Sequence, residues 1–567
     1  MEYTKADFDI TKLGSFYGLD KTIFRVFAAE SKKMYLMIDE MPYEMHQNGY
    51  CFEIGLAGDL EYVKYYYKND NGVCFRDPFS YYSDEKYSYV LDITKFNHKL
   101  ILPERLRDIV IYETSVRDFS CDDSYLGKTK RKFLSLSETG LKIDNEYSVG
   151  IDYIKELGIT HLQLMPVLDY DNDDSDYNWG YNPVAFNYVK RDYVISDDNP
   201  YAYVNELRSV VNFLHENNIR VTLDVVFNHV FKANSYDLEK MLPGHIFRYK
   251  QDGSLAEGSF CGNEIKSEDP FVREYLIEMV LRYILLFDID GIRIDQMGIL
   301  DYETINQIDE RCKTIKHDFI VYGEGWNMGD VLPEENRAAI INADKMPGIA
   351  MFNDYFRDVI INYISGNDAI RQDVKNALSG NSNHMNYTQS INYVECHDNN
   401  TFFDRMIRFK HEDPIWINIR RCKLALGLVM VARGLPFIHS GQEFLRTKNL
   451  VENSYNCDEL INRIDWNRRV ENNEICNYFK DLVELRRDNS VFIKSDTIVD
   501  FEDYYECLIY NLDDFMIIIN PCAWDHAYKD GNNYHVIFDL NGNNDYYSDI
   551  LNIPAYSMLI CRRLIIV

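Results

Sequence analysis

Short apolar runs that each stop at an acid constrain this 567-residue chain more than any other feature. RVTLDVVFNH carries Asp224, Asn228 and His229, and DIDGIRIDQMG carries Arg293 and Asp295. FIVYGEGW carries Glu324 and Trp326, and INYVECHDNN carries His397, Asp398 and Asn399. Amphipathic stretches lie between such runs, which is the sequence form of repeated βα units. When parallel strands close into a barrel, acids at their C-terminal ends collect at one mouth. Two carboxylates gathered there are able to share glycosidic chemistry, one as nucleophile and one as acid/base.

From Asp108 onward the alternation is regular. IVIYETSVRDF reads as a first strand, SVGIDYIKELG as its helix and HLQLMPV as a second strand. VNELRSVVNFLHENN is then the helix before RVTLDVV. PFVREYLIEMVLRYILLF reads as a long helix, with Pro270 placed to start it. WINIRRCKLALGLVMVARG, LPFIHSG and NYFKDLVELRRDN complete the pattern. Before it, KTIFRVFAAE, KKMYLMID, YCFEIGL, EYVKYYYKN and YSYVLDI read as short strands separated by turns such as Asn48-Gly49 and Asn71-Gly72, the pattern of a β-sandwich. ECLIYNL, FMIIINP and YHVIFDL predict a second sandwich at the C-terminus. The expected fold is therefore α/β. It has an N-terminal β-sandwich over 1–100, a (β/α)8 TIM barrel over 101–488 with a small excursion near 230–267, and a C-terminal β-sandwich over 489–567.

Composition excludes several function classes. A formal net charge of −31 opposes nucleic acid and anionic membrane surfaces, both of which call for basic patches. A neutral glucan is indifferent to it. No window approaches the ~20 consecutive apolar residues of a membrane span. MEYTKADFDITKLG has no apolar signal-like core, and the 12 Cys are scattered without a CxxC pair. Reduced thiols in a cytoplasm are the expectation. The aromatic content rests on 44 Tyr and 31 Phe against 5 Trp. Most of these rings belong to the core, and the remainder suit stacking on sugar C–H faces. No phosphate-cradling Gly motif stands out and glycosidic hydrolysis needs no cofactor, so none is expected. The acidic run DYDNDDSD has Asp174 at the sixth position and Gly180 at the twelfth of a would-be calcium loop, so it is not an EF-hand; no metal site is expected.

Alternation along Ile292-Arg293-Ile294-Asp295 puts Arg293 and Asp295 on one face. A cation so placed lowers a carboxylate's pKa and orients it. Taken alone, the same pair reads equally as a buried structural ion pair. His229 alone reads as a loop histidine, and Trp179 or Trp326 alone as core. The adjacent Cys396-His397 reads as strand neighbours on opposite faces rather than a thiol nucleophile.

Taken together and in order, the four acid-bearing segments resemble the conserved regions of the α-amylase superfamily, glycoside hydrolase family 13. YNWGYNP, residues 177–183, differs only at Asn182, in place of Asp, from the signature of type I pullulanases. HSGQEFLRTKNLVENSYN, from His439 to Asn456, resembles that subfamily's segment after the eighth barrel strand. The likeness covers nearly the whole chain. It implies a debranching hydrolase acting on α-1,6 bonds in pullulan, limit dextrins or glycogen and starch fragments, with retention of configuration. By the same resemblance Asp295 is the nucleophile, Glu324 the acid/base and Asp398 the third acid. Asp224, Asn228, His229 and His397 shape the sugar pocket, Tyr181 stacks beneath the ring, and Trp326 and Asn399 lie on the leaving-group side. Glu324 then needs a pKa well above the free value of about 4.3, and Trp326 is a candidate apolar wall. The region near 230–267 corresponds to the excursion called domain B. LGSFYGLDKTIFRVFAAESKKMYLMI resembles the β module before the barrel, classed as carbohydrate-binding, although no Trp precedes Trp179. Cys396 stands where the family often has Ser or Lys. Two alternatives share the barrel: an α-glucan transferase or branching enzyme, and a non-catalytic glucan-binding protein.

Overall fold

The computed structural model describes residues 3–101, 109–381 and 384–563. Asp108, where the barrel pattern is expected to begin, and the rest of the 102–108 junction lie outside them. Eight parallel strands close in chain order: Ile111–Thr114, His161–Leu164, Arg220–Val225, Gly291–Ile294, Ile320–Gly323, Ile349–Phe352, Ser390–Asn392 and Leu435–His439. Pairing of Ile111 with Phe437 joins the last strand to the first. Every residue of the first four strands is buried. That is why they read as near-continuous apolar runs rather than alternating ones.

Helices Ile151–Leu157, Ala202–Glu216, Pro270–Phe287, Tyr302–Ile315, Asp354–Ile364, Ile415–Val431 and Asn473–Asp488 wrap the barrel. The third begins where Asp269 accepts hydrogen bonds from the Phe271 and Val272 amides, with Pro270 in the first turn. It ends on Asp288 in a left-handed conformation. The fifth and sixth strands are joined by 3-10 turns, Glu334–Asn336 and Ile340–Lys345, instead of an α-helix. The sixth strand itself, IAMF, carries no acid and went unread in the sequence. A buried cluster of Ile111, Tyr322, Ala350, Phe352, Ile391, Tyr393 and Phe437 fills the interior between strands.

The acids of DIDGIRID divide between the two ends of their strand. Asp288 and Asp290 sit before it, where Lys316 Nζ lies 2.6 Å from Asp288 and 2.9 Å from Asp290, and His215 lies 2.7 Å from Asp290. These contacts tie two helices beneath the barrel. Asp295 lies just past the opposite, C-terminal end.

Two sheets precede the barrel. One orders Gly14–Phe16, Lys21–Phe27, Cys51–Ala57 and His46–Asn48. The other is built on Met41–Glu44, Met34–Ile38, Lys64–Asn69 and Cys74–Phe75. YSYVLDI contributes only Ser88–Tyr89 to it, because Asp92 accepts from the Thr94 amide and turns the chain into a 3-10 helix. Phe27 stacks on Phe271 of the barrel helix at 4.9 Å, and Arg76 pairs with Asp237 at 2.7 Å. After the barrel come a six-stranded sheet and a two-stranded one, His526–Tyr528 with Leu551–Ile553. Tyr528, Leu551 and Ile553 share a buried cluster with Cys507, Ile509 and Ile518. The segment near 230–267 holds a 3-10 turn, the helix Asp237–Met241 and two isolated bridges, Phe247 with Ile265 and Tyr249 with Leu255. Among the described residues no helix is long and apolar enough to cross a membrane.

Candidate active site

Strand register alone assembles half of the site. Asp224, Arg293 and Tyr322 are consecutive partners on the third, fourth and fifth strands, so their side chains share one inward layer. Arg293 is 1% exposed and its guanidinium links three acids. Nη1 donates to Asp224 Oδ1 at 2.9 Å and to Asp295 Oδ1 at 2.8 Å, and Nη2 donates to Glu324 Oε1. Asp295 and Glu324 are thus held by adjacent nitrogens of one planar group, within one guanidinium's reach of each other.

The backbone after Asp295 completes this geometry. Gln296 takes a left-handed conformation, φ 39°, unusual for a non-glycine residue. Its amide then donates to Glu324 Oε2 at 2.9 Å. Gly298 lets the turn approach the Glu324–Trp326 loop, since a Cβ there would meet the Trp326 carbonyl oxygen at 1.7 Å. Asn228 Nδ2 donates to both the backbone oxygen and Oδ2 of Asp295. Asn228 Oδ1 in turn bonds His229 Nδ1. His229 Nε2 is buried with no partner among the described residues, and burial pulls its pKa below the usual histidine value. It is a neutral ring at the pocket wall.

Burial, reinforced by the nearby carboxylates of Asp295 and Asp398, outweighs Arg293 and pushes Glu324 up to about 8. The Trp326 indole N–H donates to Asp354 Oδ2 at 2.8 Å, and the ring is half-buried. Asp398 acts on Glu324 across the mouth while its own side chain stays 38% exposed. Burial raises the thiol of Cys261, on the return of the 230–267 segment, and the charges of Asp295, Asp398 and Glu324 add to the rise. Asp295, Glu324 and Asp398 thus lie near enough to Cys261 for their charges to act on it.

His397 and Tyr181 form the opposite wall. Their rings stack at 4.9 Å with planes 16° apart, and Tyr181 Oη donates to Asp224 Oδ2 at 2.7 Å. Gly180, at φ 107°, allows the chain to pass Pro166 and Tyr170, which a Cβ would meet at 3.0 Å. Trp179 Nε1 donates to Asn462 at 3.2 Å and its backbone amide to Tyr455, so the segment after the eighth strand seats YNWGYNP. Asn182 Nδ2 donates to the Asp171 backbone oxygen at 3.5 Å.

Cys396 and His397 lie past Asn392, the last paired residue of the seventh strand, so strand alternation does not govern them as expected. Burial raises the Cys396 thiol well above its ordinary pKa, which disfavours a thiolate. Asn399 is exposed at φ 61°, and Lys448 Nζ donates to the backbone oxygens of His397 and Asn399. Lys448, Cys261 and Glu113 were not foreseen. Each sits in a segment already read as strand or loop, with no acid-after-strand pattern to mark it.

The comparisons with known proteins fit this geometry. The alpha-amylase catalytic-domain family profile matches residues 149–241. The chain is 33% identical over 540 residues to a pullulanase of Bacillus subtilis (strain 168), covering 88% of this chain and 74% of that protein. The chain belongs to the pullulanase family. It is a glycoside hydrolase of the α-amylase superfamily. Pullulanase 1 of Arabidopsis thaliana, a chloroplastic protein, is 27% identical over 64% of this chain, which spans 48% of that longer protein. The crystal structure of a pullulanase from Anoxybacillus sp. LM18-11 complexed with maltotetraose superposes with a TM-score of 0.94 at 31% identity, covering 98% of this chain and 88% of that one. The pullulanase type I structure from Bacillus subtilis complexed with maltose gives 0.92, also at 31% identity, covering 98% and 86%.

Proposed function

We propose that this pullulanase-family chain hydrolyses α-1,6-glucosidic links in pullulan, limit dextrins or glycogen and starch fragments, retaining the anomeric configuration through a covalent glycosyl-enzyme. The observation that carries the reading is the Arg293 guanidinium shared by Asp295 and Glu324. Asp295, oriented by Arg293 and Asn228, attacks the anomeric carbon. Glu324, protonated at neutral pH because burial raises it to about 8, gives its proton to the departing glycosidic oxygen. The C1–O bond to the leaving sugar breaks as the ester to Asp295 forms. Glu324, now ionised, takes a proton from water, whose oxygen displaces Asp295 and restores both carboxyl groups. Asp398 and His397 bind sugar hydroxyls and favour the distorted ring. Asp224, His229 and Tyr181 shape the pocket, and Trp326 and Asn399 serve the leaving-group side. In such retaining pairs the carboxyl groups stand about 5–5.5 Å apart.

We read residues 1–100 as a carbohydrate-binding-like β-sandwich, 101–488 as the catalytic barrel and 489–567 as a C-terminal β-sandwich. Thiols buried in the core, such as Cys312, Cys422 and Cys476, favour a reducing compartment such as the cytoplasm. The test is digestion of pullulan with product identification. Release of maltotriose supports α-1,6 cleavage, whereas panose or isopanose, or no new reducing ends, rejects the reading.

A further inference from the structure

Glu113, on the inner face of the first strand, is 1% exposed and touches none of the three acids. Three donors converge on it. The His397 backbone amide reaches Oε2 at 2.9 Å, and His397 Nδ1 lies 2.8 Å from Oε1. Gln163 Nε2 donates to the same Oε1 at 3.0 Å, its own oxygen accepting from Tyr322 Oη at 2.7 Å. A carboxylate satisfies all three; an amide has one acceptor atom and does not. With Nδ1 committed to Glu113, Nε2 is the ring atom left toward the mouth, 3.8 Å from Asp398 Oδ1.

We propose that Glu113 is a positioning residue of this site: by accepting from both the backbone and the ring of His397, it holds that ring doubly protonated and fixes the turn that carries Asp398. The inference rests on the reading that His397 and Asp398 serve the sugar. Other groups around the ring are balanced. Asp224 and Asp398 favour the cation, and Arg293 opposes it. Lys448 donates to the His397 carbonyl, His439 lies near enough to be disfavoured as a second cation, and Tyr181 covers one face as a neutral phenol. Burial alone would neutralise His397, yet Glu113 and Asp398 bring it up to about 9. An imidazolium at this wall gives a sugar hydroxyl or ring oxygen a charged donor, and it steadies Asp398 through a like-sized opposite charge.

Glu113→Gln keeps the shape. Its amide oxygen still accepts from the backbone, while its NH2 faces Nδ1, so the ring keeps its second proton only at lower pH. The expected result is a fall in kcat on pullulan of about tenfold or more with KM little changed, and an alkaline limb moved down by at least one pH unit. Independently, 15N-labelled wild-type enzyme, with the His397 signal assigned from His397→Gln, should show that ring still doubly protonated at pH 8. Should Glu113→Gln fail to fold, this titration decides alone. A wild-type His397 that loses its proton below pH 7 overturns the inference, as does a Glu113→Gln profile that scales down without moving. Either outcome beside normal maltotriose release by wild type sinks only this role. Absence of maltotriose release from the wild type rejects the broader reading, and the titration still reports on Glu113 and His397.

Discussion

Asn228 Nδ2 donates twice to Asp295, to its backbone oxygen and to Oδ2, each at 2.8 Å. One side chain from the third strand's exit therefore fixes both the main chain and the carboxylate of the residue after the fourth strand. Hydrogen bonds to charged groups contribute about 1.5–3 kcal/mol. Asn228→Ala is expected to lower kcat by roughly 10- to 150-fold while the far-ultraviolet circular dichroism stays unchanged. A loss confined to KM would mean that Asn228 only binds sugar.

Asp295→Asn removes the proposed nucleophile and retains its volume. Turnover on pullulan should drop by roughly 10^4-fold or more, and the protein should still bind maltooligosaccharides in calorimetry. Residual activity within tenfold of wild type would rule Asp295 out of the bond-forming step.

Glu324 is raised to about 8, so its proton is present at neutral pH and lost as pH rises through that value. The kcat/KM profile of the free enzyme is expected to bend downward near pH 8, and Glu324→Gln should abolish the bend along with most activity. Profiles recorded on an activated aryl glycoside, whose leaving group needs little protonation, should lose the limb in the first step.

Several groups bind protons more tightly folded than unfolded. Burial raises Glu324 and Glu395 to about 8 and Glu443 to about 7, and His397 stands at about 9 with Glu113 and Asp398 outweighing burial. Between pH 6.5 and 8 the native state thus holds more protons than the unfolded chain, and stability must fall as pH rises. Burial lowers His98, His161, His229 and His439, whose unfolded rings are still partly protonated near pH 6.5, and lowers Lys448 to about 8; these oppose the trend at the two ends of the window, but the four raised groups outweigh them. Scanning calorimetry at constant ionic strength should show the unfolding temperature declining across it. A flat or rising trace contradicts the raised carboxyls.

Gly298 has no room for a side chain, because the atom a Cβ would strike is backbone. Gly298→Ala must push the Asp295 turn away from the Glu324 loop. Overpacking typically costs about 1–3 kcal/mol, and activity should fall further than stability because both carboxylates move. Equal losses at another buried glycine remote from the mouth, such as Gly427, would show that the effect is not local.

Most of the barrel was legible because its strands are buried on both faces and end in chemically distinctive residues. Asp295 and Glu324 announce themselves by following apolar runs. Ile349–Phe352 does not, being four apolar residues after a turn with no acid and no helix before them. YSYVLDI satisfies strand composition, yet the Asp92 side chain captures the backbone after two paired residues. The second layer of the site was illegible for a different reason. Glu113 and Lys448 act through contacts spanning 284 and 51 residues, and no local pattern encodes a partner so distant.

Lys448 fastens the turn bearing His397 and Asn399, and the strand just before it, Leu435–His439, supplies the last seam of the cylinder. A ribosome-tethered chain halted short of this point already displays all three acids, yet lacks the brace that aims one of them. The order of synthesis thus withholds that brace until the eighth strand and its following loop have emerged.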